Sequence, residues 1–161
     1  MKLLDDVSIA RALHIIGVVL WIGGVSFVTT VLLPAVRRME EPSHRVAFFE
    51  AVEGQFAWQA RATTLLVGAS GLYLVYVWQL WDRFTQIEYW WMHAMVLIWA
   101  IFTFLLFVAE PLFLHRWFLA RSKSKPVQTF RVIQRLHWVL LSASLITILG
   151  AMLGSHGAFF L

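Results

Sequence analysis

Residues 10–36 read ARALHIIGVVLWIGGVSFVTTVLLPAV, an almost unbroken apolar run. It exceeds the about 20 residues that cross a bilayer as a helix. With a helical period one face carries His14, Gly17, Trp21, Gly24 and Val28, at spacings of three and four. Glycine removes bulk, so another helix or a flat ligand can approach the backbone there. Arg11 lies three residues before His14 on the same face. Two readings fit this segment: a small-residue packing seam with a histidine at the membrane interface, or a ligand-bearing face.

The whole chain extends the pattern. It has 161 residues, 60% of them hydrophobic, and no cysteine. A soluble domain of this size does not carry so apolar a composition. The absence of cysteine excludes disulfides, thiolate metal sites and covalent c-type haem. No cleavable signal peptide is expected, because the first apolar run is too long for one. No nucleic-acid partner is indicated, and the barrel pattern of alternating residues is absent.

Four spans are expected, at about 10–36, 62–80, 89–114 and 136–160. The stretch 40–60 is charged but interleaved with Val46, Phe48, Phe49, Val52 and Phe56, which fits a short amphipathic helix in the interface. Residues 81–88 read as a tight turn and 116–134 as a basic loop. The expected fold is therefore all-α: one integral-membrane domain over 1–161, an antiparallel four-helix bundle with a short interfacial helix between helices one and two.

Basic residues set the expected orientation. Lys2, Arg11 and Arg83 fall on the side of the termini, and the other ten on the opposite side. The positive-inside rule places both termini in the periplasm of a bacterial inner membrane.

Six histidines then sort by side. His14, His93 and His156 belong to the half near the termini; His44, His115 and His137 belong to the other. Ionisable residues inside spans are costly and usually face the bundle interior. Neutral imidazole suits iron, copper and zinc. Haem b needs axial nitrogens and an apolar slot. His14 and His93 provide the first, and Gly17, Trp21, Val96, Leu97 and Ala100 the second. Arg11 stands where a propionate would pair. Copper is the alternative: Met92 and Met95 flank His93, with Met152 and His156 in the same half. A bland reading has both histidines bonded to backbone carbonyls or headgroups. His137 and His115 are candidates for a second haem, and Glu110 for a weakly supported proton relay.

Several stretches resemble a known pattern. LHIIGVVLWIGG (13–24), LLPAVRR (32–38), FFEAVEGQF (48–56) and RATTLLVGASGLYLV (61–75) resemble the membrane core of the copper resistance protein D (CopD) family. The Leu-His opening followed by Trp and Gly-Gly is also similar to HemJ-type protoporphyrinogen oxidases, which are haem-containing membrane proteins. That resemblance implies that His14 is a haem ligand. The HemJ-type third-helix lysine has no counterpart here, and His93 stands in its place.

The expectation is a haem b protein in redox work, passing single electrons from a membrane quinol to a periplasmic partner or oxidant. The alternatives are copper binding or import of the CopD type and a HemJ-like oxidase. A non-catalytic assembly subunit is a further rival, and a homo-oligomer is left open.

Overall fold

The computed structural model describes residues 2–156, and every regular element among them is helical. Helix α1 (Lys2–Phe27) continues through a π-helical stretch, Val28–Leu32, into α2 (Leu33–Arg38). Helix α3 is Pro42–Val77. Two short 3-10 turns, Leu80–Thr85 and Ile87–Tyr89, lead into α4 (Trp90–Phe104). A second π-helical stretch, Leu105–Leu114, joins α4 to α5 (His115–Ser124), and α6 is Pro126–Ser155.

Four of the resulting rods are long and apolar enough to cross a membrane: Asp6–Arg38, His44–Val77, Ile87–Ser122 and Pro126–Ser155. They have 30 to 36 residues, so at about 1.5 Å per residue they outreach a hydrocarbon layer of about 30 Å. The chain is thus a multi-pass membrane protein by length and composition.

Two boundaries differ from the sequence expectation. The stretch 40–60 is continuous with the second span, because nothing between Pro42 and Val77 breaks the helix. The third rod also runs on to Ser124, through residues expected to form a loop. It stops at Lys125, which adopts φ −141° and ψ 63° immediately before Pro126. Proline pushes its predecessor out of the helical region, and then starts the next helix at N1. Glu41 before Pro42 is extended for the same reason. Residues 157–160, expected at the end of the fourth span, lie outside the described residues.

Packing is dominated by glycines that receive aromatic rings. A Cβ on Gly68 would meet the Trp99 ring at 2.6 Å, and Gly24, Gly150 and Gly154 sit against Phe56, Trp90 and Trp91 in the same way. Close approach at small residues is how helices gain contact where lipid gives no hydrophobic drive. Along α1 and α3 the partners run Ala10 with Leu74, Gly17 with Val67, and Gly24 with Phe56. Residue numbers rise on one helix as they fall on the other. Along α4 and α6 the order Trp90 with Gly150, then Phe102 with Leu141, behaves alike.

The core has a middle cluster around Trp21, Val25, Val67, Phe102 and Leu141. A second cluster at the basic end gathers Phe49, Phe118 and Phe130, ring centres 5.3 to 5.8 Å apart. The outward faces are equally apolar: Leu65, Leu97 and Leu149 are 54%, 60% and 59% exposed. Water disfavours such a surface over whole helices, whereas lipid does not.

The two π-helical stretches share one device. In an i→i−5 pattern the donor at Pro34 would serve the Thr29 carbonyl, and that at Pro111 the Leu106 carbonyl. Proline has no N–H to give. The neighbouring bonds do follow this pattern: Leu33 N–H to Val28 O, and His115 N–H to Glu110 O. Each orphaned carbonyl is satisfied from another helix. Gln134 Nε2 donates to Thr29 O at 2.6 Å, and Arg61 Nε donates to Leu106 O at 3.1 Å. In lipid every backbone group must find such a partner.

Candidate functional site in the bundle

His14 projects from α1 onto α3. Its Nδ1 lies 3.1 Å from the Val67 carbonyl and 3.1 Å from Ser70 Oγ. A carbonyl only accepts, so Nδ1 carries the proton. Ser70 is able to accept because its own hydroxyl donates to Leu66 O at 2.6 Å. Nε2 therefore keeps its lone pair. Gly71 lies against the ring, and a Cβ there would stand 3.0 Å from His14 Cε1. Arg11 is exposed, with its guanidinium 4.8 Å above the Trp78 ring.

The other expected ligands have their own partners. His93 is exposed; its Nε2 is 2.9 Å from the Phe84 carbonyl, and its ring meets the Phe84 ring edge-on. Met92 beside it is buried. His156 Nδ1 bonds Met152 O at 2.7 Å, and both residues are exposed. Gly17 is buried against Val67 and Leu66 of α3. Val96, Leu97 and Ala100 are exposed, while Ile98, Trp99 and Phe102 turn inward towards Trp21. The structure thus brings Gly17 and Trp21 into the core and leaves Ala100 outside it. No group of three or more His, Asp and Glu side chains able to hold a metal occurs among the described residues.

A second group of polar residues converges in a cavity of about 190 Å³ between the helices. Glu53 enters from α3, Glu110 and His115 from the third rod, and His137 from α6. The walls are otherwise aromatic and aliphatic, with Trp21, Phe56 and Phe102 among them. Arg61 forms an ion pair with Glu110 beside the cavity, both about a quarter exposed. Glu53 makes no direct hydrogen bond or ion pair among the described residues, although it lies within electrostatic reach of Glu110, His115 and Arg61. His137 Nδ1 donates to Ile133 O at 3.0 Å. Trp21 is 3% exposed, and its indole N–H has no acceptor among the described residues. Buried indole N–H groups usually find one.

The cavity unites His115 and His137, which sequence reading paired, with Glu53, and Arg61 stands beside it on Glu110; sequence reading singled out neither Glu53 nor Arg61. A signal for those two was present. Glu53 and Arg61 are eight residues apart, an i, i+8 spacing that puts both on one face of a continuous helix.

Compared with known proteins, the chain matches no family model, no curated protein and no solved structure.

Proposed function

We propose that the chain is an integral inner-membrane redox protein that holds a b-type haem on His14. The observation that carries this reading is the His14–Val67 hydrogen bond. Metal-bound histidines almost always donate their second ring nitrogen to a carbonyl or carboxylate, which fixes the tautomer and raises the basicity of the other nitrogen. His14 meets that requirement, its Nε2 has no hydrogen-bond partner among the described residues, and Gly71 lets its ring lie close against α3. Arg11, one turn earlier, supplies the cation for a propionate. His93 would be the second residue to hold the iron, giving up its hydrogen bond to the Phe84 carbonyl. Bound haem supplies one-electron chemistry, tuned by its ligands and burial. Electrons enter from a membrane quinol and leave to a periplasmic partner.

The proposal includes an antiparallel four-helix bundle with both termini periplasmic. The opposed numbering of the packed pairs and the three-to-ten division of basic residues support it. The first turns of α3, ahead of Phe56, which packs on Gly24 in the middle of the first span, lie nearest the headgroups in this arrangement. A reduced-minus-oxidised spectrum of the purified chain, with its haem-to-protein ratio, is the test. A Soret band is expected, lost in His14→Ala. Retention in His14→Ala, or a colourless wild type, refutes the reading.

A further inference from the structure

We propose that the cavity between the helices is a binding site for the head group of a lipid-soluble quinol. This deepens the redox reading by giving its electron donor a place. It stands on observations separate from His14.

Size comes first. Dry cavities of about 150 Å³ admit a single benzene ring. A cavity of about 190 Å³ therefore takes one substituted ring and is too small for a porphyrin as it stands. The wall chemistry comes second. Ligand sites are mostly apolar with a few polar groups that fix orientation, and this cavity has that make-up. Trp21 contributes an apolar ring to the wall, edge-on to Phe102. Glu53 contributes a carboxylate with no direct hydrogen bond or ion pair among the described residues, and His137 an acceptor, because its Nδ1 is committed to Ile133 O and Nε2 keeps a lone pair. A quinol ring, with a hydroxyl at each end, can donate to both. A water cluster satisfies them too, but gains nothing from the aromatic walls.

Access comes third. Leu114 and His115 line the cavity, and both are exposed. The cavity thus reaches the outside of the bundle there, which gives a long apolar tail a way into lipid. Position comes last. Trp21 lies seven residues beyond His14 on one helix face, about 10 Å along the axis. An occupant of the cavity is therefore two turns from the proposed haem ligand.

Calorimetric titration of the purified full-length chain in dodecylmaltoside tests the site. Decylubiquinol is the probe, and decylbenzene corrects for partition into micelles. Saturation by decylubiquinol at one per chain is expected, with partition alone for decylbenzene. Glu53→Leu removes one acceptor, and should weaken binding about five- to tenfold. His137→Leu should do likewise. Ala57→Leu, at a buried wall position, should abolish saturation while the chain still elutes as the wild type does. Absence of saturable binding, or equal affinity in all three variants, overturns the proposal. Haem content is read on the same samples. Haem without quinol binding leaves the haem reading standing and removes this one; quinol binding without haem does the reverse.

Discussion

Arg61→Leu removes two interactions at once. Arg61 donates through Nε to the Leu106 carbonyl and pairs through its terminal nitrogen with Glu110. Losing the first leaves a carbonyl that Pro111 has already deprived of its helical donor. An unsatisfied buried polar group costs about 1–3 kcal/mol. Losing the second strands a carboxylate at about a quarter exposure, next to Glu53. Breaking a buried ion pair from one side costs about 3–5 kcal/mol, and partial solvent access brings that down to about 1–2. The sum is about 2–5 kcal/mol. At about 2–4 °C per kcal/mol for a chain of this size, the midpoint should fall by roughly 4–20 °C.

Thermal unfolding in detergent, followed by circular dichroism, measures it. Glu110→Gln keeps an acceptor for Arg61 and leaves the Leu106 bond intact, so its loss should be smaller. In Arg61→Leu with Glu110→Leu the stranded charge disappears and only the carbonyl remains unsatisfied. The double variant should therefore be more stable than Arg61→Leu alone. A midpoint for Arg61→Leu within 2 °C of the wild type, or a double variant that is worse than the single, refutes the argument.

Three further outcomes are expected. Gly17→Leu should loosen the α1–α3 seam and lower the midpoint, because even a Cβ at Gly17 would lie 2.8 Å from Val67 Cγ2, whereas Gly23→Leu meets open space and should be silent. Gln134→Leu orphans the Thr29 carbonyl and should cost about 1–3 kcal/mol in the same assay; an unchanged midpoint would mean that Thr29 O finds another donor. A reporter fused after Leu161 should be active as a periplasmic enzyme and silent as a cytoplasmic one, and the reverse pattern removes the proposed orientation.

Much of the fold was legible because lipid leaves long apolar runs few choices. The four rods, the glycine seams and the inward turn of His14, Gly17 and Trp21 follow from one helical period. The phase of the third rod was not legible. Its expected lining residues Val96, Leu97 and Ala100 are exposed, and Ile98, Trp99 and Phe102 face the core. In a helix that is apolar all round, hydropathy does not distinguish the lipid side from the core side. The partners decide it: Gly68 accepts Trp99, and Gly150 and Gly154 accept Trp90 and Trp91. Arg61 escaped notice for a different reason. A span boundary was expected beside it, and a charge at a boundary invites no explanation. On a helix that runs unbroken from Pro42 to Val77 the same charge demands one.

The π-helical stretches explain how one rod reaches so far into one cavity. Phe102, Leu106, Glu110, Leu114 and Phe118 all line it, each four residues after the last. On an α-helix a step of four overshoots a turn by about 40°, so four steps would carry the side chain roughly 160° round the rod. Phe118 would then face away from Phe102. The wider turn over Leu105–Leu114 takes up the drift and keeps the row on one side. Pro111 sits within that turn, and the carbonyl it leaves open is held by Arg61. The ion pair with Glu110 follows from the same placement. Proline, arginine and glutamate thus act as one unit: the first unwinds the helix, the second satisfies what the unwinding exposes, and the third neutralises the second. Periodicity at 3.6 hides that unit, because its members share a side only after the helix has changed its pitch.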